Sequence, residues 1–164
     1  ALAHKILKKI KHEAYKKTRY IEWSFRGRRS YKWDKQKNIV ELNGINKIIL
    51  SLDNMTDSKI LIKGKEGFED KSRIINRALA TFNNDSFWLV APHKLFEPGI
   101  IRSIVNIDGK EALKVKYTTG GTTPGDSYIW ILNDAYLPIK FLILKEKWHA
   151  LVERFRFLLI LRMN

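Results

Sequence analysis

Four histidines, His4, His12, His93 and His149, are the residues of this chain best suited to ligate a metal or move a proton. A helical metal pair needs the spacing i, i+4, and a strand pair needs two ligands side by side. No two of the four meet either requirement. His93 falls in a loop bracketed by Pro92 and Pro98-Gly99, where a polar contact is expected rather than catalysis. Gly120-Gly121-Thr122-Thr123-Pro124-Gly125-Asp126 has the glycine content of a phosphate loop. No Lys-Ser/Thr follows it, and the next segment alternates as a strand rather than opening a helix, so it reads as a hairpin loop whose backbone Asp126 and Ser127 bond. A serine nucleophile needs a base and an orienting acid beside it. Gly-x-Ser-x-Gly is absent, and Glu97, Asp108 and Asp126 show no spacing that marks an acid–base pair. The reading is a non-enzymatic protein, with neither a metal nor a cofactor expected.

Aromatic residues are the better functional signal. Trp23 and Phe25 share strand parity, as do Tyr31 and Trp33 after the Gly27-Arg28 turn. Trp88 or its neighbour Phe87, and then Tyr128 and Trp130, continue the pattern. Leu79 and Phe82 lie on the apolar stripe of an inserted helix, and Leu95 and Phe96 lie in the loop after His93. If one sheet curves on itself, these eleven residues line a hollow. Either the hollow is filled by helices, or it is an apolar cavity sized for an acyl chain.

Around these residues the elements follow from periodicity. Leu2, Ile6, Ile10 and Ala14 make a narrow apolar stripe on a helix over 2–17, read as packed on a sheet or, alternatively, lying on an anionic membrane surface. Period-two segments occupy 20–26, 28–33, 38–42, 47–52 and 59–63, separated by Asn43-Gly44 and Asp53-Asn54. Ile74, Ile75, Ala78, Leu79 and Phe82 predict a helix over 70–83, stopped at Asn83-Asn84. Strands are expected again at 86–90, at 100–107 turning through Asp108-Gly109 into 111–118, at 127–132, and from Pro138 after a turn at 133–137. The last segment, KFLILKEKWHALVERFRFLLILRMN, suits either an amphipathic helix through Trp148, Leu151, Val152, Phe155 and Leu159 or a strand through Phe155, Phe157, Leu159 and Leu161. A strand is favoured because the sheet otherwise lacks an end. No repeat or low-complexity linker divides the chain, so residues 1–164 are read as one domain.

The segments FWLVAPHKLFEPG and YTTGGTTPGDSYIWIL, with the closing Asn-Asp-Ala-Tyr-Leu-Pro, resemble a group of secreted Bacteroidota proteins that is itself similar to the periplasmic lipoprotein-carrier superfamily. The resemblance covers about residues 20–140. It implies an α+β fold: a strongly curved antiparallel sheet of about nine to eleven strands, forming an unclosed half-barrel. The N-terminal helix and the 70–83 lid helix would cover its concave face. It also implies a periplasmic or outer-membrane-associated location, with a leader or lipidated cysteine upstream of Ala1. The chain departs from the group after Pro138, where a Gly-Gly turn and a Trp-rich segment would be expected.

Length and charge bound the partners. The 164 residues suffice to bury a core. Cysteine is absent, which excludes disulfides and thiolate metal sites. No apolar run reaches the roughly 20 residues that span a bilayer. Net charge is +14, concentrated in residues 1–37, where thirteen Lys/Arg face only Glu13, Glu22 and Asp34. Such a basic end calls for an anionic membrane surface, an acidic protein or nucleic acid. Arg19, Arg26, Arg28 and Arg29 are the candidates for an anionic partner or a ligand headgroup. Nucleic acid is disfavoured because Trp23 and Phe25 face away from Arg26, which separates stacking groups from charge. The expected function is binding or carriage of an apolar, lipid-like ligand in the cell envelope. The alternatives are a protein-interaction module using a sheet edge or the basic face, and nucleic-acid binding through the basic N-terminal third.

Overall fold

The computed structural model describes residues 1–62, 65–66, 70–119, 125–144 and 151–156. In chain order the elements are α1 (Leu2–Lys9), α2 (His12–Lys17), β1 (Tyr20–Phe25), β2 (Arg29–Asp34), β3 (Ile39–Asn43), β4 (Lys47–Ser51), β5 (Lys59–Ile62), β6 (Lys65–Glu66), α3 (Lys71–Val90), β7 (Ile100–Ile107), β8 (Lys110–Tyr117), β9 (Ser127–Leu132), β10 (Pro138–Leu144) and β11 (Leu151–Arg156). Short 3-10 turns occupy Met55–Asp57 and Ala91–His93. The fold is α+β on antiparallel strands, as expected. The strands form two ladders, β1 to β6 in sequence order and β7 to β11 in sequence order, rather than one continuous sheet. Neighbouring strands pair when a short turn joins them. The 20-residue α3 lies between β6 and β7, and alternation within each strand carries no information about that break. By their contacts the described residues group into two compact units, residues 16–86 and residues 1–15 with 87–156.

In the unit of residues 16–86, Ile21, Trp23 and Phe25 lie opposite Trp33, Tyr31 and Arg29. Tyr31 and Trp33 lie opposite Leu42 and Val40, which lie opposite Ile48 and Leu50. Ile48 in turn lies opposite Ile60. Cross-strand partners point to the same side, so all of these share one face. The other face carries exposed ion pairs, Lys32 to Glu22 at 3.3 Å and Lys47 to Glu41 at 2.8 Å, which add little stability in water. The apolar face packs with Ile75, Ala78 and Phe82, three and four residues apart on α3. Between β4 and β5, the Asn54 carboxamide oxygen caps the 3-10 turn by accepting from Thr56 N at 3.3 Å, and the buried Ser58 Oγ accepts from Ser51 N at 3.0 Å.

In the other unit, Asp108 and Gly109 both take positive φ, +51° and +79°, and join β7 to β8 as the expected two-residue hairpin. The turn at 133–137 is built on Asn133, whose side-chain oxygen accepts from Ala135 N at 3.1 Å and Leu137 N at 2.9 Å. Leu2, Ala3 and Ile6 of α1 are buried in one core with Leu113, Val115, Tyr128, Trp130 and Phe141. Leu2 and Ile6 of the expected stripe are therefore used in packing, with Ile10 against the same core, whereas Ala14, on α2, is exposed. The backbone of residues 151–156 is strand β11, paired with β10, in agreement with the favoured reading of the closing segment. Residues 145–150 and 157–164 of that segment, including Trp148, Phe157, Leu159 and Leu161, and residues 120–124 of the glycine-rich loop lie outside the described residues.

Two local expectations are corrected. The helix expected over 2–17 breaks at Lys11, which takes φ +54° and separates α1 from α2. The strand expected at 86–90 is helix: α3 runs through Asn83-Asn84 to Val90. No glycine or proline interrupts 71–90, and the buried positions 75, 78, 82 and 85 keep helical spacing, although the last is an aspartate.

Candidate functional site

Six of the eleven aromatic and apolar candidates come together in the unit of residues 16–86. Trp23, Phe25, Tyr31 and Trp33 from β1 and β2 meet Leu79 and Phe82 from α3 in one cluster. Trp23 stacks on Tyr31, with ring centroids 4.5 Å apart and planes 10° from parallel. Phe82 meets Trp33 edge to face at 5.5 Å and lies 6.1 Å from Trp23. Such offset and edge-on pairs follow from the ring quadrupole and stabilise beyond area burial. The indole Nε1 atoms of Trp23 and Trp33 are buried, with no hydrogen-bond acceptor among the described residues. A buried donor of this kind has lost its water without replacement.

Asp85 closes this cluster. It stands one helical turn beyond Phe82, on the apolar side of α3, and its side chain is 1% exposed. It accepts from Arg29 Nε at 2.7 Å and from the Tyr31 hydroxyl at 2.5 Å. Burial first, and then the hydrogen bond to Asp85, push the Tyr31 phenol well above its ordinary range. A buried carboxylate persists because both partners answer it. Sequence reasoning missed Asp85, although an acid at the next position of the 75–78–82 stripe was the available signal.

The four arginine candidates separate into two pairs. Arg19 grips Asp34 with Nε at 3.2 Å from each carboxylate oxygen and a terminal nitrogen at 2.9 Å. Arg29 is committed to Asp85. Arg26 and Arg28 sit exposed in the turn between β1 and β2, Arg26 with φ +51° and its guanidinium 5.5 Å from the Phe25 ring.

Four other candidates belong to the core of the second unit. Trp88, Leu95, Tyr128 and Trp130 pack there with Phe141, on which Trp88 stacks at 4.2 Å. Phe96 is 45% exposed. Its ring has the Arg102 guanidinium at 4.3 Å and the His4 ring at 4.6 Å, and Arg102 also donates to the Leu95 carbonyl. In the same unit, His12 and His93 bring their Nδ1 atoms to 3.3 Å, a pairing that separation by 81 residues hides from any local motif. His149 lies outside the described residues. Among the described residues there is no group of three or more His, Cys, Asp or Glu placed to hold a metal. No helix among them is long and apolar enough to cross a membrane. Compared with known proteins, the chain matches no family model, no curated protein and no solved structure.

Proposed function

We propose that this protein binds an apolar, lipid-like ligand without catalysis, against the aromatic face of β1 to β6. In this reading the six strands curve as a half-barrel and α3 acts as the lid over its concave face. The ligand's chain lies among Trp23, Phe25, Tyr31, Trp33, Leu79 and Phe82, and burial of each methylene contributes roughly 0.8 kcal/mol, so about ten carbons give useful affinity. The observation that carries this reading is the pair of buried indole donors, Trp23 Nε1 and Trp33 Nε1, without acceptors among the described residues, in an otherwise apolar wall. A carbonyl or carboxylate on the ligand supplies what they lack. The exposed Arg26 and Arg28 hold an anionic headgroup or meet an anionic membrane surface. The resemblance of residues 20–140 to a group of secreted proteins, itself similar to lipoprotein carriers, supports a place in the periplasm or at the outer membrane.

The test is native mass spectrometry of protein purified from its own source, followed by organic extraction and rebinding of a long-chain fatty acid to the stripped protein. An acyl species at one per chain is expected. Replacing both tryptophans by Phe, which keeps the rings and removes the donors, should weaken rebinding by about three- to tenfold. No extractable species and no change in indole fluorescence on adding fatty acid would overturn the reading.

A second reading rests on a different observation. Among the described residues strand β7 ends its ladder, and Ile101 and Ile104 on it are 59% and 55% exposed. A long edge strand with exposed isoleucines is a template for strand addition by a protein partner. Replacing Ile104 by Lys should abolish such pairing and leave fatty-acid binding unchanged, which separates the two readings in pull-down and rebinding assays.

A further inference from the structure

The geometry points to a two-histidine site for a borderline divalent cation of the zinc, nickel and copper(II) class, made by His12 Nδ1 and His93 Nδ1. It is independent of the lipid-binding reading, since both histidines belong to the unit of residues 1–15 and 87–156. His12 opens α2 directly after Lys11, whose positive φ ends α1 and sets the new direction of the chain. His93 closes the 3-10 turn Ala91–His93, which is held by the Lys94 N–H donating to the Ala91 carbonyl and by its buried neighbours Ala91 and Leu95. Tyr15, three residues after His12, stacks flat on the His93 ring, with centroids 3.9 Å apart and planes 4° from parallel. That stack fixes the plane of His93, and the His12 ring lies 23° from the same plane.

The separation of the two nitrogens is 3.3 Å. Two nitrogens bound to one ion at about 2.0–2.1 Å in tetrahedral array are themselves about 3.3–3.4 Å apart, so the separation suits a four-coordinate centre once both rings tilt their lone pairs from each other toward one ion. Without metal, the same nitrogens share one proton, one as donor and the other as acceptor. When the ion enters, that proton moves to Nε2 of its own ring, both Nδ1 lone pairs turn to the metal, and a neutral pair releases no proton. Two coordination positions remain for water or an incoming donor. Imidazole selects borderline transition ions over magnesium and calcium, which prefer oxygen. Occupancy ties the first residue of α2 to the turn that precedes Leu95.

The test is titration of the chelator-stripped full chain with zinc chloride and nickel chloride by calorimetry in mildly alkaline buffer. One ion per chain is expected, with no heat from magnesium chloride. His12→Ala and His93→Ala should each weaken binding by at least about tenfold, whereas His4→Ala should not. If either variant fails to fold, the imidazole resonances of the unaltered protein decide: zinc should shift those of His12 and His93 and leave those of His4 in place. Absence of saturable zinc binding, retention of binding in both variants, or resonance shifts confined to other histidines would overturn the proposal.

Discussion

The Asp85 carboxylate, 1% exposed on α3, accepts a hydrogen bond from Arg29 Nε of β2 at 2.7 Å, and Arg29 itself is 33% exposed. The pair is asymmetric: the acid has lost its water, while the base keeps part of its own. Removing Arg29 strands a buried charge, whereas removing Asp85 leaves a cation that still reaches solvent.

Arg29→Met should therefore cost more than Asp85→Asn in urea unfolding. Losses of about 3 and about 2 kcal/mol respectively are expected. The double variant should recover part of the sum, a coupling of about 1 kcal/mol that a double-mutant cycle would measure. Equal and additive losses would show that the two residues act separately.

Three of the tyrosines set the alkaline limit. Burial, the largest effect at each, raises Tyr15, Tyr31 and Tyr117 above the ordinary value of 10.0, Tyr15 to about 12. The unfolded chain loses these protons from pH 10 upward while the folded chain keeps them. Stability is therefore full below pH 10 and falls as pH rises toward 12. Phenolate absorbance should appear together with unfolding for these groups, and Tyr15→Phe should make the fall shallower. At the acid end the sign reverses. The Arg19 guanidinium, helped by the backbone N–H groups of Lys37 and Gln36, holds Asp34 at about 2 against an ordinary 3.8. Its contribution is complete above pH 3.8 and is lost as pH falls to about 2, a loss that Asp34→Asn should remove from the pH profile of the unfolding midpoint.

Gly99→Ala should destabilise the start of β7. Gly99 takes φ +78°, and a methyl group there would collide with the Thr119 hydroxyl. Its carbonyl also accepts from Thr118 N at 2.8 Å and Thr118 Oγ1 at 2.9 Å, so the backbone cannot swing away without losing both bonds. A loss of about 1–3 kcal/mol is expected by thermal or urea unfolding. Gly27→Ala, at φ +63° with open space around it, should cost only the conformational share, about 1 kcal/mol.

Leu50 is fully buried at the centre of the β1 to β6 face. Leu50→Ala should cost about 3–4 kcal/mol, the transfer and cavity terms together. Ile104→Ala, at a side chain 55% exposed on edge strand β7, should stay within about 0.5 kcal/mol, since little of that side chain is buried.

Much of the fold was legible because short-range rules governed it. Asp108-Gly109 supplies two positive φ angles, and Asn54 and Asn133 each satisfy backbone groups within a few residues, so these turns could be read from residue type. The apolar parity of Trp23, Tyr31, Val40 and Leu50 likewise survives in the register. Misreadings arose where a local signal met a tertiary partner. Asn83-Asn84 looked like a helix stop, but Arg29 and Tyr31 make Asp85 a member of the buried stripe, and α3 continues past it. Among the candidate residues, parity could say which side of a strand Trp23 and Trp130 occupy, and nothing in it could say that they belong to different cores.

By itself the sequence determined the antiparallel α+β class, the turns, the packing stripe of α1 and the absence of any local catalytic motif, because periodicity and turn chemistry act over a few residues. The tertiary structure alone decided that the strands form two ladders, that Arg19 and Arg29 spend their charge on Asp34 and Asp85, and that His12 meets His93. Each of those outcomes depends on which distant groups lose water together, and desolvation is a property of the folded arrangement that no spacing along the chain encodes.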